Sequence, residues 1–497
     1  MRERLGVPPE ERVVKYLINP RLQEASKDFA FMIQINVAHV IMLTEANIVS
    51  PFAGEKLLSA LRKLYETGLE ALPLKPELED LYLNLESYII DQLGPEIGGV
   101  LHTARSRNDL YETLRRMQIR TKILRVLDLL IALREALLKR ASQTTNIVVT
   151  GYTHLQPAQP ITFAHYFIAL SYALERDTRR LFAAYECTNL CPLGAGALAG
   201  TSYPINRQRT AQLLGFSSVL VNTLDAVASR DYLVEFLSAL ANLGTLLSRY
   251  ATDLYLWCTN EFGYIELPDS YAMTSSIMPQ KKNPVVLEYV KAKAGHVYGA
   301  LISALSCLKN TPFGHSRDIA GEAPRMLDFA VQETEAMLAL LTAITEDLKI
   351  DANRALDEAS KNFCTATDLA DMLVINYGVP FRIAHQIIAV VLRECFKKGR
   401  KDVKEIRVKD INEVAKVLLG KELPLTDEDI CYALDPVQSV KNRTCTGGTS
   451  AEQLAVMLNE CETRLREDRK HLKEIVQALE NAEKELWKGV KTFKAVN

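Results

Sequence analysis

The stretch Ser275-Ser-Ile-Met-Pro-Gln-Lys-Lys-Asn-Pro284 crowds two hydroxyls, two lysines and two amides around two prolines, directly ahead of a helical run that starts near Val285. Pro279 and Pro284 lack amide donors and push the residues before them out of helical geometry, so the segment should stay an irregular loop. Gln280, Lys281, Lys282 and Asn283 then supply the cations and neutral donors that carboxylate oxygens require. The helix that follows adds its positive N-terminal end. The segment reads as a mobile loop that closes over an anion, against the alternative of a solvated, lysine-rich turn.

Other polar connections carry candidates of the same kind. His102-Thr-Ala-Arg-Ser-Arg-Asn-Asp109 sets two arginines, two hydroxyls and an asparagine in a turn ahead of a helix, a composition suited to bidentate capture of carboxylates. The alternative is an ordinary helix start, with Asn108 or Asp109 as its N-cap. In Gly151-Tyr-Thr-His-Leu-Gln-Pro-Ala-Gln-Pro160, His154 stands between a hydroxyl and an amide, and its ordinary pKa lies near neutrality, as proton transfer requires. The alternative there is a helix-entry histidine satisfied by the backbone. The small residues of Cys191 to Pro204 permit close backbone approach, but no Gly-Lys-Ser/Thr follows, so this is not a P-loop. Asp225 to Asp231 and Thr311 to Pro324 are two further polar links.

The elements between these loops are long helices. From Leu110 to Asn146 there is no glycine or proline, and Leu114, Met117, Leu124, Leu127, Ile131 and Leu138 keep to one stripe. Similar runs are expected at Ile161 to Asn189, Val227 to Asn260, Val285 to Lys309 and Met326 to Leu348, with no β-strand alternation competing. Helices of this length make an elongated bundle that one subunit can hardly cover. Runs apolar on more than one face, such as Ile161 to Leu174, are expected to pack against other subunits. The chain divides into three regions, 1–110, 111–361 and 362–497, the last of shorter helices ending in a charged amphipathic stretch from Ala451 to Lys491 that is most simply solvated.

Lys+Arg 59 against Asp+Glu 61 leaves a formal charge of -2, without the basic footprint of a nucleic-acid binder, so the partner is a small molecule. Nine scattered cysteines with no Cys-x-x-Cys pair disfavour a disulfide framework or zinc ribbon and suggest free thiols in a reducing cytoplasm. No stretch reads as a signal peptide or membrane span.

Taken together, His102–Asp109, Gly151–Pro160, Pro192–Gly200, Asp225–Asp231 and Ser275–Pro284 resemble the argininosuccinate lyase branch of the fumarase/aspartase superfamily, with weaker likeness through Ala366–Asp371, Gly378–His385 and Gly447–Ser450. The resemblance implies an all-α, three-domain subunit whose long central helices form a homotetrameric core with active sites shared between subunits. It also implies a cytoplasmic enzyme of arginine biosynthesis that eliminates across a carbon–nitrogen bond of an N-substituted succinate and releases fumarate, with no metal or organic cofactor. Ser275 matches the residue that takes the proton, helped by Lys281 and by oriented backbone donors. His154 matches a histidine of proton transfer, acid or base. Ser106, Asn108, Thr153, Gln156 and Asn283 match substrate-binding positions, with Arg105 and Arg107 as supporting charge and Asp80 and Arg317 in the same pocket.

Departures concentrate at the leaving-group end. Where the family shows a Tyr-Asn-Lys/Arg-Asp-hydrophobic-Gln-Glu-Asp-Lys string, this chain reads His315-Ser-Arg-Asp-Ile-Ala-Gly-Glu-Ala323. Near the N-terminus, Asn19 to Ser26 stands in place of a serine-rich substrate segment. Ala104, Leu110, Thr274 and Val285 are smaller steric changes. Two alternatives to argininosuccinate cleavage follow: release of fumarate from another N-substituted succinate, and a non-catalytic, crystallin-like structural homologue.

Overall fold

A computed structural model describes residues 7–400 and 405–492. Six helices carry the architecture: α1 (Arg107–Gln143), α2 (Phe163–Thr188), α3 (Asp231–Trp257), α4 (Val285–Leu308), α5 (Leu327–Asp347) and α6 (Ala451–Thr492). The first five fall within a few residues of the runs expected from periodicity. With 37 residues, α1 is about 55 Å long at about 1.5 Å per residue.

Side-chain pairs fix the directions of these helices. Near the start of α1, Arg116 Nη1 donates to Cys187 O (2.9 Å) at the far end of α2, so the two run antiparallel. Close by, Glu112 Oε2 pairs with Arg230 Nη2 (2.9 Å) just ahead of α3, and α3 ends at Trp257, edge-on to Phe163 with centroids 5.4 Å apart. There α4 begins, with Tyr255 OH donating to Glu288 Oε1 (3.3 Å). The end of α5 returns to the same place, where Tyr271 OH donates to Asp347 Oδ2 (2.6 Å). The bundle therefore has two ends. The first holds the start of α1; the second holds the loops that open α2 and α4.

Three large apolar clusters fill the chain. One is the bundle core; a second joins helices Ala25–Glu45, Pro51–Thr67 and Leu81–Leu93 to Leu110, Leu114 and Met117 of α1; a third lies within residues 363–434. The terminal helix α6 is one continuous element, not a solvated appendage. Leu454, Cys461, Leu465 and Leu472 pack into the bundle core and Leu486 into the N-terminal cluster, while Asp468 meets the fully buried Arg134 at 2.5 Å.

One other expectation needs correction. The link after α1 is a β-hairpin, β1 (Val148–Thr153) antiparallel to β2 (Gln156–Thr162), despite the lack of strand alternation in the sequence. Pro157 and Pro160 interrupt that alternation, yet prolines are tolerated in a two-stranded ribbon where each strand is an edge. Of the apolar side chains from Ile161 to Leu174, Phe163, Ala164, Phe167, Ile168 and Leu174 are buried within the chain, while Ile161, Tyr166, Leu170 and Tyr172 are half-buried and Ala169 is exposed. More exposed apolar surface lies on α4, where Tyr289 (56%), Tyr298, Ile302 (61%) and Leu305 face outward beside Gly295 and Gly299. No described helix is long and apolar enough to cross a membrane.

Candidate active site

At the first end of the bundle, Ser106 is the N-cap of α1, a role the sequence suggested for Asn108 or Asp109. Its Oγ accepts from Asn108 N (3.3 Å), and Asp109 Oδ1 reaches back to Ser106 N (3.0 Å), closing a capping box. The same fold separates the two arginines. Arg105 is buried, donating to Asn36 Oδ1 and to Tyr82 OH (3.2 Å), so it forms the wall behind the turn. Arg107 stays half-exposed, its Nη1 2.8 Å from Asp80 Oδ2 and 3.3 Å from Glu79 Oε2. Asp80 is itself buried, and its other oxygen caps helix Leu81–Leu93 by accepting from Leu83 N (3.0 Å). It orients Arg107 from behind. Asn108 Nδ2 donates to Ala197 O (3.2 Å), joining the turn to the glycine-rich link.

His315 and Arg317 lie at this end too. Burial, then the charges of Arg230 and Arg317, lower the His315 pKa to about 4, so its ring is neutral at pH 7. Arg317 feels burial first and then repulsion from Arg21, with Arg107 adding to it and Asp80 opposing. Arg21 lies in the segment that departs from the family pattern.

At the second end, Thr153 pairs with Gln156, which makes His154 and Leu155 the two turn residues of the hairpin. Both have positive φ (55° and 54°), the geometry of a type I′ turn in which Asn and Gly are usual and a leucine is strained by about 1–2 kcal/mol. The turn carries Thr153, His154 and Gln156 out into solvent, and His154 has no hydrogen-bond partner among the described residues. Backbone strain of this kind, held by a rigid base, is a mark of functional positions.

The Ser275 loop is a flap on a short hinge. Met273–Thr274 pairs antiparallel with Lys282–Asn283, and the residues between them loop outward, with Ile277 83% exposed. Ser275 Oγ accepts from Met278 N (3.1 Å) and Ile277 N (3.4 Å), the oriented backbone donors that an alkoxide needs. The two lysines have different jobs. Lys282 bridges Glu266 Oε1 (2.8 Å) and Asp269 Oδ1 (2.7 Å), anchoring the flap, whereas Lys281 is exposed and has no partner among the described residues. Asn283 is half-buried beside the hinge.

One chain thus brings Asp80, Arg105, Ser106, Arg107, Asn108 and Arg317 together at one end of the bundle. Thr153, His154 and Gln156 stand at the other, beside the base of the Ser275 flap. The length of α1 lies between the two sets. Sequence reasoning saw Asp109 only as a possible N-cap, not that its second oxygen binds the backbone of the glycine-rich link, and it missed the buried Glu112, which holds Arg116 and Arg230 at the start of the bundle.

A long helical bundle with a cluster of arginine, serine and asparagine side chains at one end and a serine flap and exposed histidine at the other fits the all-α fold of the fumarase/aspartase lyases. The matching domain models agree: one described as Lyase covers residues 19–299, more than half the chain, and one described as Argininosuccinate lyase C-terminal covers residues 363–441. The chain belongs to the argininosuccinate lyase family. It is 44% identical over 481 residues to argininosuccinate lyase 1 of Shouchella clausii (97% of this chain, 96% of the relative), and 38% identical over 480 residues to argininosuccinate lyase of Methanococcus aeolicus (96% of each). Among solved structures, an EDDS lyase variant with bound fumarate superposes with a TM-score of 0.87 at 35% identity, covering 98% of this chain and 96% of that one.

Proposed function

We propose that the chain is an argininosuccinate lyase that cleaves 2-(N-omega-L-arginino)succinate to L-arginine and fumarate in cytoplasmic arginine biosynthesis. The observation that carries this reading is the Ser275 hydroxyl, held at the hinge of an exposed flap with two backbone N–H groups aimed at its oxygen. In the reaction the proton beside a succinyl carboxylate passes to Ser275. The dianionic aci-carboxylate that forms is stabilised by Lys281 and Asn283 once the flap closes. As the carbon–nitrogen bond breaks, the departing nitrogen takes a proton, and His154 moves a proton in one of these two steps. Ser106, Asn108, Thr153 and Gln156 hold the carboxylates, and Arg107, aligned by Asp80 and backed by Arg105, supplies positive potential together with Arg317.

The distance between the bundle ends supports a shared site. Carboxylate binders and the histidine turn separated by about 55 Å within a subunit meet when copies pack antiparallel. The apolar stripe of α4, with Gly295 and Gly299 open to close approach, is the surface for that packing. A homotetramer, divided into domains at 1–110, 111–361 and 362–497, with α6 bracing the first two, is the form this reading requires.

A second reading has its own support. The 35% identical EDDS lyase shows that a chain this similar can carry a different name, and the His315–Ala323 and Asn19–Ser26 segments depart from the family pattern. The leaving amine is then something other than arginine. Incubation with argininosuccinate while following the ultraviolet absorbance of fumarate separates the two. Fumarate production abolished by Ser275→Ala supports the first reading; fumarate from another succinyl amine but not from argininosuccinate supports the second. Silence across a panel of succinyl amines rejects both and leaves a crystallin-like structural role.

A further inference from the structure

The glycine-rich link from Cys191 to Pro204 has no part in the reaction described so far, yet its backbone is tied to the carboxylate-binding turn by one side chain. Asp109 is fully buried, and both its oxygens are taken up by backbone donors from two segments far apart in sequence. Oδ1 accepts from Ser106 N (3.0 Å), and Oδ2 accepts from Gly194 N and Gly196 N (2.9 Å each). Asn108 Nδ2 adds a second tie to Ala197 O (3.2 Å). The link can present those two N–H groups to one oxygen only because Gly194 and Gly196 hold φ of +87° and +62°. A Cβ at Gly194 would stand 2.7 Å from Arg207 Cγ, and one at Gly196 2.7 Å from Gly200 O. Beyond Gly196 the link emerges, and Ala197 to Ala199 are exposed beside Asn108.

We infer that Asp109 is a positioning residue for substrate binding: it fastens the glycine-rich link to the Ser106–Asn108 turn, so that turn and link form one surface against the succinyl carboxylates. The identity of the substrate rests on the lyase reading above; the fastening itself does not. An ionised carboxylate suits this place because it accepts at both oxygens and donates at neither. An asparagine would set an N–H₂ against one of the backbone N–H groups. The charged and titratable groups that face Asp109 are Arg105 from its own turn, the Cys191 thiol from the link and Arg207 from the short helix behind it. Burial pushes the carboxyl up to about 6 against its hydrogen bonds and Arg105, so mild acid protonates it and weakens the fastening from within.

The test is amide hydrogen exchange of segment 192–200 in the full-length protein, paired with steady-state kinetics. Wild type, Asp109→Asn and Asp468→Asn are compared at pH 7.5 and 5.0, with rates corrected for the intrinsic pH effect. Asp468, paired with Arg134 midway along the bundle, reports ordinary loss of a buried contact. In wild type, exchange of the segment should speed up about tenfold or more from pH 7.5 to 5.0, as the carboxyl passes through its titration. In Asp109→Asn it should be fast at both pH values, with KM raised about tenfold and kcat held within about threefold, while Asp468→Asn changes neither. Equal protection at both pH values in wild type overturns the proposal, and so does fast exchange in Asp109→Asn with KM unchanged. If Asp109→Asn does not fold, the pH dependence of wild-type exchange and of wild-type KM decides alone. Failure of the lyase reading looks different: argininosuccinate is not turned over, yet the exchange pattern holds.

Discussion

Lys281 and Lys282 are adjacent in sequence and differ in what holds them, so exchanging each for methionine should give unequal losses. Methionine keeps an unbranched stem and removes the charged ammonium with its N–H donors. Lys282 pairs with Glu266 at 2.8 Å, with side chains 33% and 63% exposed. An exposed pair of this kind is worth ~0.2–1 kcal/mol, and the contact to the exposed Asp269 adds a geometric restraint on the flap without changing that scale. Lys282→Met should therefore loosen the flap and lower kcat/KM by at most about fivefold, the equivalent of ~1 kcal/mol. The Lys281 ammonium has no partner to lose among the described residues. In the proposed mechanism its charge acts on the aci-carboxylate once the flap has closed, where removing one stabilising group costs ~2.7–4 kcal/mol, a factor of about 10²–10³ in kcat. The two variants should thus differ by roughly 2 kcal/mol or more in transition-state stabilisation. The assay is fumarate formation under saturating and limiting argininosuccinate. Equal losses, or a larger loss in Lys282→Met, would refute the division of labour drawn from the flap.

Other expectations follow from single residues. Gly196→Ala places a Cβ 2.7 Å from Gly200 O at φ +62°, so it should lower thermal stability by about 1–2 kcal/mol and raise KM more than it lowers kcat; an unchanged KM argues against the link's place in the site. His39 is fully buried, its Nε2–H donating to Thr103 O (2.8 Å), and burial followed by the Arg105 charge lowers its pKa well below 6.5. Its folded form resists protonation that the unfolded chain accepts, so stability is retained above pH 6.5 and lost as pH falls, by at most about 1.4 kcal/mol per unit. Urea midpoints at pH 7.5, 6.0 and 5.0 should show wild type losing ground to His39→Gln in acid, and parallel midpoints would contradict that sign. Gly299→Arg, on the open stripe of α4, should abolish assembly and activity together, read by sedimentation and fumarate release. A fully active dissociated form would remove the basis for a shared site.

Much of this architecture is visible in the chain itself. Thirty-odd residues without glycine or proline leave α1 little alternative to a helix, and the polar run between Pro279 and Pro284 announces a loop with chemistry in it. The sequence is silent where neighbouring residues of one type part ways. Arg105 and Arg107 look alike, yet the cap at Ser106 sends one into Tyr82 and Asn36 and leaves the other half-exposed, held by the buried Asp80. Lys281 and Lys282 separate because Lys282 enters a strand whose side chains alternate faces. The hairpin under His154 was hidden by its prolines. The grip of Asp109 on Gly194 and Gly196 spans 85 and 87 residues, and no local pattern reports a contact of that range.

The central claim is that carboxylate binders from one chain and the Ser275 flap from another complete each site, and subunit mixing tests it most directly. Asn108→Ala and Ser275→Ala proteins, each inactive alone, are dissociated, combined and reassembled, and fumarate release is measured. Recovery of up to about a quarter of the wild-type rate is predicted, since random assembly leaves both positions native in about one site in four. No recovery from mixed assemblies shown to form would contradict the account.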